Sequence, residues 1–215
     1  MALKHAVLAV LSRGDSSGYE LSKAFEVGVT NFWHATPQQV YAELTKLEES
    51  GLISGRDVIG RGRQTKRVFT VTDSGRDELS AFVAVSSKPG AIREDLVVKV
   101  YASEFAEAEV LAAELEERAE RSRAKMVVLD AILADLLGDD DEQTHLSTSE
   151  HPGRYLTAIR GRGFEAENYA WFRWAAAVLR ARAAGEPVPA RSDPQAMSRL
   201  VGDPGGVEPV GHPGR

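Results

Sequence analysis

Residues 36–72 constrain the fold more than any other stretch of the chain. They read as a helix followed at once by a hairpin whose tip is Gly60-Arg61-Gly62-Arg63-Gln64-Thr65-Lys66-Arg67. Thr36-Pro37 is a strong helix start, because Thr accepts a bond from a free backbone N–H and Pro at the first helical position has no N–H to leave unpaired. Gly51 is an equally plain stop. Between them Val40, Leu44 and Leu47 fall at i, i+4 and i+7 and face a core, which leaves Gln38, Tyr41, Ala42, Thr45 and Glu49 on or near the other side. Leu52-Ile53 and Val58-Ile59 then predict one strand and Val68-Phe69-Thr70-Val71 its partner, joined by the glycine-bearing loop. A helix that can lie in a groove, beside a cationic loop that can reach phosphate, is the pattern of a winged helix-turn-helix. Its outward face is polar but weakly charged, as base reading requires, since amides and hydroxyls hydrogen-bond base edges while long cations anchor the backbone.

The flanking segments complete that unit. Leu3, Val7, Leu8 and Leu11 predict a first helix, and Asp15-Ser16-Ser17-Gly18 a turn. Ser16 or Ser17 can cap a second helix with Leu21, Ala24 and Phe25 buried, Tyr19 off that face and Gly28 at its end. Thr72-Asp73-Ser74-Gly75 caps a fourth helix carrying Leu79, Phe82 and Val83, and residues 86–90 read as a linker. Beyond it the character changes to long helix. Ile92, Leu96, Val97 and Val100 mark one segment, and Leu111, Leu115, Met126, Leu129, Ile132, Leu133 and Leu136 another that suits pairing between subunits. Gly138 and Asp139-Asp140-Asp141-Glu142 end it, with a polar loop to about Pro152. A last helix, from Tyr155 to about Ala184, carries Tyr169, Trp171, Phe172 and Trp174. Six prolines and five glycines in residues 186–215 leave too little apolar surface to offset ordering entropy. The expectation is therefore a mainly α chain: a winged helix with a two-stranded wing over residues 1–86, a helical dimerisation domain over 92–184, and a disordered tail over 185–215.

A net charge of −6 at first argues against a nucleic-acid partner. Its distribution reverses the argument: residues 1–91 hold 11 basic against 10 acidic residues, whereas residues 92–184 hold 12 against 18. Within residues 56–67 there are five cations, Arg56, Arg61, Arg63, Lys66 and Arg67, and one acid, Asp57. Screening acts over about 8 Å at physiological salt, so that local field matters more to a phosphate than distant acidity.

Other functions find little support. Without cysteine there are no disulfides, thiolate zinc sites or cysteine nucleophiles, and a reducing, cytoplasmic location fits. The start lacks a signal peptide's long apolar region, and no run reaches the roughly 18 apolar residues of a membrane span. The histidines at 5, 34, 145, 151 and 212 form no i, i+4 pair, which predicts no metal site, and His5 reads as a packed helix residue. Asp139-Asp140-Asp141-Glu142 lacks the spaced ligands of a calcium loop. Gly60-Arg61-Gly62 lacks the Lys-Ser/Thr of a nucleotide-binding loop, and no serine has a legible His and Asp arrangement. Neither an enzyme nor a cofactor is expected.

The residues His5-Ala6-Val7-Leu8, Gly18-Tyr19-Glu20-Leu21, Val40-Tyr41-Ala42-Glu43-Leu44, Leu47-Glu48-Glu49-Ser50-Gly51-Leu52-Ile53 and Phe69-Thr70-Val71-Thr72-Asp73-Ser74-Gly75 together resemble the PadR family of bacterial transcriptional regulators, in its longer form. The likeness spans residues 1–184, with Gly163 and Trp174 as weaker carriers in the last helix. It implies operator binding by a homodimer, with Gln38, Gln39, Tyr41, Thr45 and Lys46 reading double-stranded DNA and Arg61, Arg63, Lys66 and Arg67 gripping phosphate. It also implies repression. The wing departs from the family's Pro-rich tip by using Gly-Arg-Gly-Arg, which keeps the charge on a looser loop. Alternatives stay open: Tyr41 packing under the wing, a winged-helix protein-interaction module without DNA binding, and Tyr169, Trp171, Phe172 and Trp174 as dimer core or as the wall of a pocket for a flat apolar effector. Spacing pairs Tyr169 with Phe172 and Trp171 with Trp174 on shared faces. Two such readers in successive major grooves, about 34 Å apart, would recognise an inverted repeat.

Overall fold

The computed structural model describes residues 2–25, 33, 35–59, 65–87 and 94–191, which fall into two compact units, residues 1–91 and 92–215. In the first unit α1 (Ala2–Leu11) buries Val7, Leu8 and Leu11. Helix α2 (Gly18–Ala24) starts in a capping box: the Ser17 side chain accepts the Glu20 backbone N–H, and the Glu20 carboxylate accepts the Ser17 N–H at 2.7 Å. It is capped at its other end by Phe25, which is fully buried; the expected stop at Gly28 lies outside the described residues. Helix α3 (Pro37–Glu49) begins in a second capping box between Thr36 and Gln39, and its Val40, Leu44 and Leu47 enter the core at the predicted spacing. Gly51, at φ +71°, turns the chain out of the helix in the left-handed region that glycine tolerates.

Strands β2 (Ile53–Ile59) and β3 (Thr65–Val71) pair antiparallel in the register Ile53↔Val71 to Ile59↔Thr65. The wing is not merely two-stranded. The two residues expected as turn and cap, Ser16–Ser17, form β1 and add to the far edge of β3 as Ser16↔Phe69 and Ser17↔Val68, giving the order β1-β3-β2. Helix α4 (Asp73–Ala84) is capped by Thr72 and lays Leu79 on the core, but Phe82 and Val83 stay exposed. Phe82 instead stacks on the His5 ring, with centroids 3.8 Å apart, while His5 Nε2 lies 2.9 Å from Glu78 Oε1.

In the second unit α5 (Asp95–Tyr101) and a 3₁₀ turn (Ser103–Phe105) precede α6 (Ala108–Leu137). Helix α7 (Glu142–Thr148) occupies the expected polar loop, started by Asp141 accepting the Thr144 N–H at 2.8 Å, and α8 (Gly153–Ala184) follows. The bridges Arg180–Glu109, Lys125–Glu165 and Arg162–Asp130 run in opposite order along α6 and α8, so the two helices are antiparallel. The stripe that suited pairing between subunits, Leu111, Leu115, Met126, Leu129 and Leu133, is buried. Leu111 and Leu115 pack with α8 residues Phe172, Ala175 and Ala176, and Leu129 and Leu133 with Tyr155 and Ala158, so the stripe is used within the chain. Residues 186–191 lie back on α8, where the Trp174 indole N–H donates to the Pro189 carbonyl at 3.1 Å and Arg191 reaches Glu167 at 2.9 Å. The ordered chain thus runs past the boundary expected at 185, and residues 192–215 lie outside the described residues. Among the described residues no helix is long and apolar enough to cross a membrane.

Candidate nucleic-acid interface

A groove of about 640 Å³ runs between the start of α2, the exposed face of α3 and the first residues of β3, lined by Gly18, Tyr19, Glu20, Tyr41, Thr45, Glu48, Lys66 and Arg67 among others. Its floor depends on a glycine. A Cβ on Gly18 would sit 2.4 Å from Tyr41 Cε1, so only glycine lets the Tyr41 ring lie across the first residue of α2. Tyr41 is 49% exposed and Tyr19 beside it 65%, so both side chains keep surface accessible to a ligand.

The other predicted residues are placed as follows. Gln38 and Lys46 are exposed on α3. The Gln39 side-chain oxygen accepts the Thr36 N–H at 2.9 Å, so it serves its own helix terminus and leaves the amide N–H groups as the donors for a base. Thr45 Oγ1 donates to the Tyr41 carbonyl at 3.2 Å and keeps its lone pairs free. Lys66 and Arg67 reach the groove, but each is already paired. Lys66 Nζ lies 3.0 Å from Glu20 Oε1; Arg67 lies 2.7 Å from Glu48 and 3.4 Å from Asp57, with its guanidinium 6.0 Å from the Phe69 ring centre. Arg61 and Arg63 lie outside the described residues.

Tyr19, Glu20 and Glu48 belong to the motifs that carry the resemblance but are not among the DNA-contacting residues expected from sequence. Glu20 was legible as the last member of a Ser-x-x-Glu capping box, but its partner Lys66 stands 46 residues away. The Ser17 backbone N–H, then the Ser17 hydroxyl, then Lys66 hold the Glu20 carboxyl down from the ordinary 4.5 to about 2. The Arg67 hydrogen bond, aided by the Gly55 N–H, holds Glu48 below the usual carboxylate range. Because the folded pKa of Glu20 is depressed, its contribution to stability is fully present above the unfolded value near 4.5 and lost as pH falls toward 2. The half-exposed pair is solvent-screened, so the effect is small. Acid unfolding of Glu20→Gln is expected to show a shallower limb between those values, measured by circular dichroism; an unchanged limb would refute the assignment.

The aromatic group divides. Phe172 is core, Tyr169 and Trp171 are partly buried against it, and Trp171 meets Phe172 edge-on at 5.5 Å. Trp174 is not among the residues packed on that core; its indole N–H donates to the Pro189 carbonyl, and the Arg191 guanidinium lies 5.9 Å from its ring centre. Among the described residues no group of three or more potential ligands could hold a metal.

Residues 7–81 match the Transcriptional regulator PadR-like family, and residues 92–180 match the family described as Virulence activator alpha C-term. The probable transcriptional regulator Rv1176c of Mycobacterium tuberculosis is 40% identical over 89 residues, 41% of this chain and 47% of its own. The negative transcriptional regulator PadR of Bacillus subtilis is 34% identical over 100 residues, 46% of this chain and 55% of its own. The chain thus spans about half the length of these curated relatives. The crystal structure of Bacillus subtilis PadR with operator DNA superposes with TM-score 0.66 at 25% identity, over 83% of this chain and 99% of that one. The Vibrio cholerae virulence activator AphA gives 0.58 at 29%, over 85% and 99%. These relatives are regulators and not enzymes. Residues 7–81 thus carry a domain of the Transcriptional regulator PadR-like family, and the chain shares the fold of the Bacillus subtilis PadR structure.

Proposed function

We propose that the chain is a sequence-specific DNA-binding transcriptional regulator that acts as a homodimer on an inverted repeat. The observation that carries this reading is the groove: the polar face of α3, with Tyr41 and Thr45, stands beside Lys66 and Arg67 near the outer end of the hairpin, and Gln38 is exposed on the same helix. That the Bacillus subtilis relative has been solved with operator DNA supports it. Gln38, the amide of Gln39, Tyr41, Thr45 and Lys46 read bases or their adjoining phosphates, and Arg61, Arg63, Lys66 and Arg67 supply grip.

If four cations per chain meet phosphate, a dimer neutralises about eight, and log affinity should fall against log salt with a slope of about −7. Removing Arg61 and Arg63 together should bring that slope to about −3.5. The measurement is binding to a duplex from the gene's own upstream region across a salt series, with the Arg61→Ala, Arg63→Ala double variant alongside. Salt-independent binding, or a double variant with the parent's slope, would sink the wing assignment.

The direction of control is repression by promoter occupancy, supported by the negative regulator among the relatives. Activation is the second reading, favoured by the C-terminal match and by AphA. A reporter on the upstream region separates them: deleting the regulator raises expression under repression and lowers it under activation. Release by a small apolar or aromatic effector completes the proposal, its support being the half-buried Tyr169 and Trp171 beside Phe172.

A further inference from the structure

Three cations of the basic hairpin lie within the described residues, and the protein neutralises each of them itself. Arg56 meets Asp15 at 2.7 Å, Lys66 meets Glu20 at 3.0 Å and Arg67 meets Glu48 at 2.7 Å. The carboxylates come from the turn before α2, from α2 and from α3, so the hairpin is bound back on the helical face. Two of them are fixed by backbone as well: Glu20 accepts the Ser17 N–H at 2.7 Å and Glu48 the Gly55 N–H at 2.8 Å. A side chain anchored in this way does not swing aside as a phosphate approaches. The groove wall therefore presents two fixed negative charges beside the two cations that the proposed function assigns to phosphate.

We propose that Glu20 and Glu48 are specificity-determining residues, which hold Lys66 and Arg67 on the protein and so suppress binding to arbitrary DNA backbone. A phosphate gains such a cation only by displacing a carboxylate and standing near it. On unspecific duplex nothing offsets that cost. At a cognate site the base contacts of α3 hold the duplex against the groove and the exchange goes forward. This inference rests on the DNA-binding reading and adds an acidic component to it. Electrostatics of this kind acts by penalising wrong partners as much as by attracting right ones.

The test uses the full chain and the single variants Glu20→Gln and Glu48→Gln, in which the amide oxygen can still accept the Ser17 or Gly55 N–H. Circular dichroism melting checks folding. Affinity is measured for the gene's upstream duplex and for a scrambled duplex of equal length, each over a salt series. Each variant is expected to bind the scrambled duplex about threefold to tenfold more tightly at low salt, with a slope steeper by about 2, since one cation released per chain is two per dimer. Affinity for the upstream duplex should rise less, so that the ratio of the two falls. Adding Lys66→Gln to Glu20→Gln should restore the parent slope, which a purely structural role for Glu20 would not produce. Parent binding to the upstream duplex, with variants that leave the ratio and slope unchanged, overturns this inference alone. A parent chain that binds neither duplex overturns the DNA reading and this inference with it.

Discussion

Leu44→Ala is expected to destabilise the N-terminal unit by about 2–5 kcal/mol, while Thr45→Ala next to it changes stability by less than about 0.5 kcal/mol. Leu44 is 1% exposed and packs among Val40, Leu47, Leu8, Leu21 and Phe25, where a truncated side chain leaves a cavity that α3, capped at its start by Thr36 and closed at its end by Gly51, cannot close by moving. Thr45 faces the groove, and its one hydrogen bond, to the Tyr41 carbonyl, is exposed to water. Urea unfolding followed by circular dichroism gives both numbers. Equal losses would mean that α3 does not divide into a packed face and a reading face. In the DNA assay, without denaturant, the order should reverse: Leu44→Ala keeps its sequence preference as far as it stays folded, and Thr45→Ala loses part of it.

Gly75→Ala is the second large effect, because a Cβ there would lie 2.1 Å from the Leu52 carbonyl oxygen and 2.7 Å from Val71 Cγ2. The neighbour is backbone and has no room to give. Leu52 is held by its own N–H donating to the Leu47 carbonyl at 2.9 Å, and its carbonyl accepts the Thr72 N–H at 3.1 Å. Thr72 in turn donates its hydroxyl to the Gly51 carbonyl and accepts the Gly75 N–H, so the methyl group would part α4 from the end of α3. The expected cost is about 3 kcal/mol, and for a unit of this size a fall of roughly 12–24 °C in Tm. Gly163 in α8 is the control: nothing lies within 4 Å of a Cβ there, and Gly163→Ala should stabilise by about 0.5–1 kcal/mol. Gly75→Ala melting like its parent would show that α4 docks without this close approach.

The features written locally were the legible ones. Thr36-Pro37, Gly51 and Thr72 mark helix ends through bonds to their own neighbours, and the Val40, Leu44, Leu47 spacing survives any packing arrangement. Strand β1 was missed because two residues have no period, and it exists only because the open edge of β3 offers its backbone groups. Helix α7 falls where the sequence predicts a loop, since it buries no residue and so shows no apolar stripe. The stripe of α6 was visible, but periodicity does not say which helix covers it, and here α8 of the same chain does. At the groove, the residue types at 41, 45, 66 and 67 could be read off, whereas the carboxylates beside Lys66 and Arg67 could not, because they come from 46 and 19 residues away. Gln39 shows a limit of another kind: its helical position suited a base contact, but the same position is the third in a capping box, and the backbone claims its oxygen.

The pairing of Ser16 and Ser17 with Phe69 and Val68 gives the hairpin a fulcrum. Strands β2 and β3 are each seven residues long, about 23 Å at 3.3 Å per residue. They form a lever arm tied to the start of α2 partway along, by β1 on Val68 and Phe69, and again near its outer end, by Lys66 on Glu20. Torque applied at the far end, where Ile59 and Thr65 pair, is therefore delivered to Gly18 and to the Tyr41 ring resting on it. What the hairpin leans against and how the reading helix is tilted become one mechanical variable.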